Sequence, residues 1–337
     1  MSGVLGAVVA LGFVYYVLPR IVGFGPTLRR LRSGDLWWLG LGVVLEAISL
    51  SGEIALFRGV FARPGNRIDW KASYRITMAG TAATKLLATA GAGGIALTVW
   101  ALRGDGLSGD EVARGTVCYE ILTYAVYMGA LAIAGFGLWL GLFDGSAPVG
   151  VTLIPAIVAV AVIAIVLSML VVYEPVEKFL LERAERSHGR AAEGWRRSAA
   201  WPRAIHAGLM AAIGLVKRRD RSLLGALTYW GFDIGTLWAS FHAFGHSPPG
   251  AVLVIGYYIG TLGNALPLPG GIGGVEGGMI GAFLAFGVQG RLAVLAVLGY
   301  RTISYWLPTL PGAVAYWRLR HSLGASPDDT GTTPHTA

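Results

Sequence analysis

Apolar runs longer than a soluble core can use set the first limit on this chain. They lie near 3–19, 36–57, 76–102, 113–143, 151–173, 222–244, 251–288 and 291–317. A helix needs about 20 residues to cross a bilayer, so several of these runs can cross once, and two are interrupted. With 54% of its 337 residues hydrophobic and 14% charged, the chain reads as an integral membrane protein. Residues 1–18 lack the basic start and the small-residue cleavage site of a leader and read as the first span. The expected organisation is a membrane domain over 1–323, with half-repeats at 36–143 and 222–319 and a cytoplasmic connector at 174–221. The tail 324–337 has the composition of a disordered terminus.

A net charge of +8 does not point to nucleic acid, because the basic residues fall in blocks between apolar spans, as they do in cytoplasmic loops. The two richest blocks, "FRGVFARPGNRIDWKASYR" and 174–221, belong on one side, as does "WRLRH" at Trp317–His321. Three apolar segments separate these two blocks, and three full crossings would put the blocks on opposite sides, so one segment must return to the face it started from. The interrupted segment 76–102, with "TAGAGG" at its centre, fits. The same count after residue 222 singles out 251–288, broken at "LPLPGGIGG". "TLRRLRSGD" is basic yet falls outside in this scheme, and residues 203–216 read as a short interfacial helix.

Laying "LATAGAGGI" (Leu87–Ile95) over "NALPLPGGI" (Asn264–Ile272), 177 residues on, aligns Gly93 and Gly94 with Gly270 and Gly271. Each half reads span, broken hairpin, long span, and the two start on opposite sides. The expected fold is therefore all-α: a polytopic helical bundle with two re-entrant hairpins arranged as an inverted repeat, whose broken helices meet near the midplane. Irregular backbone in hydrocarbon is tolerated only where protein or a wet cavity satisfies it. Pro267 and Pro269 end one half-helix, while Gly93, Gly94, Gly270 and Gly271 let the chain turn. The second half-helix then aims its N-terminal amides inward, where an anion is favoured.

Ionisable residues inside spans are expensive and default to function. They are Glu46 and Glu53, seven apart on one helix face, with Lys85, Glu120, Asp233, Glu276 and Arg301. The candidate substrate-binding set is Lys85, Glu120, Asp233, Asn264, Gly270, Gly271, Gly273, Glu276, Arg301 and Tyr305. Within it Glu276 and Arg301 are expected to pair at a lipid headgroup. No catalytic residue, metal set or cofactor is indicated: His242 and His246 lack the intervening Glu of a zinc helix, and there is no phosphate loop of an ATP motor. The lone Cys118 can form no internal disulfide.

The run "LPLPGGIGGVEGGMIGAFLAFGV" followed by "GYRTISYWLPTLPGAVAYW" resembles the C-terminal signature of the lysylphosphatidylglycerol synthase transmembrane-region family, flippase-like integral membrane proteins. The likeness rests on Pro269, Gly270, Gly271, Gly273 and Glu276, with Tyr300, Arg301, Trp306 and Pro308. The first half lacks the Pro-Gly-x-x-Gly-Glu pattern common in that family. The resemblance implies a multi-pass protein of the bacterial inner membrane that moves a lipid, without the family's soluble aminoacyl-transfer domain. The expected function is thus flippase- or scramblase-like movement of an anionic phospholipid or a polyprenyl-linked headgroup. An intramembrane transferase acting on a lipid-linked sugar or phosphate and a membrane scaffold for an envelope enzyme are the alternatives. The expected partners are membrane lipids, a separate lipid-modifying enzyme and, through the Gly ladders, a second copy of the chain.

Overall fold

The computed structural model describes residues 34–62, 68–86, 92–266 and 268–324. The expected first span, most of the "TLRRLRSGD" loop, residues 63–67 of the first basic block, the first half of "TAGAGG", Pro267 and the tail from 325 lie outside the described residues. Every regular element among the described residues is helical. In chain order they are α1 (Leu36–Phe61), α2 (Trp70–Leu86), α3 (Ala92–Gly104), α4 (Gly109–Trp139), α5 (Leu153–Glu185), α6 (Arg190–Lys217), α7 (Leu223–Phe244), α8 (Gly250–Thr261), α9 (Gly274–Ala285) and α10 (Gly290–Gly324). Between α8 and α9 the chain makes two 3-10 turns, Leu262–Ala265 and Pro269–Gly271.

Four of these helices, α1, α4, α5 and α6, are long and apolar enough to cross a membrane. Where the sequence suggests a short interfacial helix over 203–216, the structure holds one helix of 28 residues lying against α4 and α5. Its middle is fastened to α5 by an Arg203–Glu177 ion pair and a Tyr173–His206 ring stack at 3.7 Å. Helix α5 carries the membrane signature most openly. Ile157, Val158, Ile165 and Val171 are exposed on it, an arrangement that water would penalise and lipid accepts.

Local signals mark where the helices begin. Asp35 accepts the Trp37 N–H at 2.9 Å to open α1, and Ser108 and Glu111 exchange hydrogen bonds to open α4. At the turn into α7, Asp220 accepts the Ser222 N–H and hydroxyl, and these bonds hold its carboxyl below its ordinary range.

The central contact is the antiparallel pair α1 and α7. Asp35 N–H donates to the Ala243 carbonyl at 2.9 Å, the Thr236 hydroxyl to the Gly42 carbonyl at 3.3 Å, and the Ser49 hydroxyl to the Tyr229 carbonyl at 2.8 Å. The backbones close completely at Gly52 and Gly225, where a Cβ on either would stand 2.7 or 2.5 Å from the other's carbonyl oxygen.

Two pairs of short helices pack on this frame. α2 and α3 run antiparallel, with Gly80 facing Thr98 and Gly94 facing Thr84. The outer ends of this pair lie at the end of the bundle where α4 starts beside Phe61 of α1. α8 and α9 are likewise antiparallel, with Gly256 against Phe283 and Gly260 against Met279. Their outer ends lie at the opposite end of the bundle, where Ser146 donates to the Phe286 carbonyl at 2.9 Å and Gly145 meets Val252. α2 packs chiefly on α10, and α8 packs on α4 as well as on α9. Two apolar clusters result, one around Leu56, Phe61, Ile76 and Leu102 and the other around Leu237, Phe241, Ile255 and Phe283.

This arrangement predicts that, in a Cys118→Ser background, cysteines at Lys71 and Gly104 react with an impermeant thiol reagent from the same side of the membrane. A cysteine at Asp144 should react from the other side. Labelling of positions 71 and 104 from opposite sides would contradict the course of α2 and α3.

Candidate functional site

Bordered by members of both clusters lies a cavity of ≈ 520 Å³ whose lining carries several ionisable side chains. Six of the seven ionisable residues singled out in the sequence line it: Glu46, Glu53, Lys85, Glu120, Asp233 and Arg301. Asn264, Gly270, Gly271 and Gly94 line it too. Glu276, Gly273 and Tyr305 stand behind Arg301 and reach the cavity through it, while Gly93 lies off the lining in the first turn of α3.

The break between α8 and α9 is built around Arg301. Its Nε donates to Glu276 Oε1 at 2.7 Å, and one of its terminal nitrogens donates to the Gly270 carbonyl at 2.8 Å. The other Glu276 oxygen accepts the Gly273 N–H at 2.6 Å, in the first turn of α9, where a carboxylate is favoured by the helix dipole. Gly270 and Gly271 hold φ of +56° and +64°, which side chains avoid. A Cβ on Gly270 would stand 2.3 Å from the Tyr305 ring, and one on Gly271 2.5 Å from the Asn264 side-chain oxygen. The two glycines are therefore required both by backbone angle and by space.

The tip of the α2–α3 pair meets this break. Lys85, at the end of α2, donates from Nζ to the Ser304 carbonyl at 2.5 Å, and its own carbonyl accepts the Tyr305 hydroxyl at 3.0 Å. Among the described residues Lys85 has no ion-pair partner, whereas Arg301 is matched by Glu276 at 11% and 18% side-chain exposure.

Four carboxylates also line the cavity. Asp233 Oδ2 accepts the hydroxyls of Tyr257 and, at 3.2 Å, Tyr300. Glu53 Oε1 accepts from Tyr119 at 3.3 Å and Thr81 at 3.5 Å. One oxygen each of Glu46, Glu53 and Asp233 is buried without a hydrogen-bond partner. No three His, Cys, Asp or Glu side chains among the described residues come together as a metal set. Tyr119, Tyr229 and Tyr257 are the part of the site that sequence reasoning missed; they line the cavity with Tyr300, which the sequence marked only through the family signature. The spacing of the missed three along α4, α7 and α8 carries no signal until those helices are brought together.

A family model described as lysylphosphatidylglycerol synthase TM region matches residues 3–312. The chain belongs to that family. Relatives named UPF0104 membrane protein, from Methanothermobacter thermautotrophicus strain Delta H, are also similar. One match is 38% identical over 91 residues, covering 27% of this chain and 26% of the relative. Another is 26% identical over 322 residues, covering 88% and 89%. The matches at 38% identity span about a quarter of the relatives' length. With its family and its apolar helices, this lysylphosphatidylglycerol synthase TM-region chain is a multi-pass membrane protein.

Removing one partner of a buried ion pair strands the other and costs about 3–5 kcal/mol. Arg301→Gln and Glu276→Gln are therefore each expected to destabilise the detergent-solubilised protein by that order. The double variant should recover much of the loss, as read by thermal unfolding. Additive losses in the double variant would show that the pair does not hold the break.

Proposed function

We propose that the protein moves an anionic phospholipid or a lipid-linked anionic headgroup between membrane leaflets without a nucleotide motor of its own. Lys85 carries the reading: a cation with no carboxylate within ion-pair distance among the described residues, lining a cavity of a membrane protein beside the Ser304 carbonyl. A phosphate entering beside it gains a charge-assisted hydrogen bond in surroundings where water competes poorly. Arg301 then exchanges Glu276 for the phosphate as the site loads, since a guanidinium suits either anion bidentately. Asn264, Gly270, Gly271, Gly273 and Tyr305 shape the seat around Arg301, and Glu120 and Asp233 line the same cavity.

On this reading α2–α3 and α8–α9 are re-entrant hairpins, and the two halves of the chain form an inverted repeat. Several contacts support it. The hairpins enter from opposite ends of the bundle, and each packs on the long helix of the other half, α2 on α10 and α8 on α4. The matching helices α1 and α7 pair antiparallel with each other, and the tips meet where the Lys85 carbonyl approaches Gly270. In such folds the broken elements meet at the site that alternating access exposes. The basic residues that follow α1 and α5 in the sequence support a cytoplasmic position for the end of the bundle where α4 starts.

The test is movement of acyl-labelled phosphatidylglycerol by purified protein in nucleotide-free vesicles, followed by dithionite quenching. The wild type should equilibrate the label between leaflets, and Lys85→Gln should slow it at least tenfold with the fold intact. Equal rates with and without protein would overturn the reading.

A further inference from the structure

We propose that Glu46 and Asp233 form a proton site and that the lipid crosses together with the proton held there. The inference rests on the lipid-moving reading above and adds its energy coupling.

The two residues face each other across the antiparallel α1–α7 contact. Hydrogen bonds bracket them on both sides, Thr236 to Gly42 at one end and Ser49 to Tyr229 at the other, and the two side chains lie within hydrogen-bonding reach. Both are more than nine-tenths buried, Glu46 with 3% exposure and Asp233 with 8%. Oε2 of Glu46 and Oδ1 of Asp233 have no partner. Two carboxylates offer only acceptors and cannot hydrogen-bond each other; one added proton supplies a donor and joins them. The two tyrosine hydroxyls on Asp233 Oδ2 fix that carboxyl from the far side, which leaves Oδ1 turned to the shared space.

The charges around the pair link the proton to the lipid. Lys85 faces it from α2, and beyond Lys85 stands Arg301 of α10. Glu53 lies further along α1, with Tyr119 and Glu120 of α4 behind it. Tyr229 of α7, Tyr257 of α8 and Tyr300 of α10 complete the surroundings. With every acid ionised the lining carries four carboxylates against two cations, and one of those cations is matched by Glu276. An anion arriving at Lys85 adds a further negative charge, and a proton on the Glu46–Asp233 pair offsets it. Each therefore favours the binding of the other, as linkage requires. The balance is one proton taken from water on one side, one singly charged lipid anion carried with it, and the same proton returned to water on the other side. No net charge crosses, so the pH gradient alone drives the step, toward the alkaline side.

The experiment uses the full chain in phosphatidylcholine vesicles holding trace acyl-labelled phosphatidylglycerol, with a gradient of about one pH unit imposed. Electroneutral cotransport shifts the leaflet ratio of the label about tenfold toward the alkaline side. The shift should vanish in Glu46→Gln and in Asp233→Asn. A wild type that equilibrates the label but ignores the gradient, or answers only to a sodium gradient at constant pH, overturns the proton site and leaves lipid movement standing. Should the wild type move no lipid, infrared spectroscopy of the solubilised protein decides the proton site by itself. A protonated-carboxyl C=O band near neutral pH, absent from the Glu46→Gln/Asp233→Asn double variant, supports the site; its absence from the wild type overturns it.

Discussion

Arg301 holds the Gly270 carbonyl and the Glu276 carboxylate together, and Glu276 in turn caps the Gly273 N–H. These bonds matter because a membrane interior offers no water to replace them. A chain that stops being helical inside hydrocarbon leaves carbonyls and amides whose exposure costs several kcal/mol each. One guanidinium with its fixed fork of donors satisfies a carbonyl and a carboxylate at once. The glycines around it supply the backbone angles that no other residue takes readily. The cavity, the position of Lys85 and the approach of the two hairpin tips all depend on this break remaining open and paired.

Around that centre the molecule divides its tasks. Close backbone contact, as at Gly52 with Gly225, gives α1 and α7 a rigid common axis. The hairpins are tied less continuously, through side chains at their tips: Lys85 to Ser304, Tyr305 to Lys85, and Arg301 to Gly270. Each of these can be exchanged for a bond to a ligand, whereas the glycine contact cannot. On the proposed lipid-moving reading, the frame stays fixed while the tip contacts change partners.

Much of this was legible in the sequence because membrane constraints are severe. Length and hydropathy announced the helices, and the prolines and glycines at 264–273 announced the break, since nothing else explains them inside an apolar run. Charges within spans pointed to the cavity: six of seven ended on its lining. What stayed hidden depends on facing registers. That Glu46 meets Asp233, while Glu53 instead takes Tyr119, follows from the antiparallel register of α1 on α7 and the approach of α4. No local pattern encodes either. Tyr119, Tyr229 and Tyr257 escaped notice because an aromatic on an apolar helix has no periodic signature of its own. Helix α6 was read as short for a related reason: its first half is polar, and the contacts that make it one helix lie on α4 and α5.

The most direct test of the lipid site is where a lipid headgroup touches the protein. Phosphatidylglycerol carrying a diazirine in its headgroup can be photolysed with the protein in vesicles, and the adducts mapped by mass spectrometry. The account predicts adducts inside the cavity, on Thr81, Lys85, Asn264 or Ser304, reduced in Lys85→Gln. Adducts confined to the outer apolar faces, such as Ile165 and Val171 of α5, with the cavity residues unmodified, would contradict it.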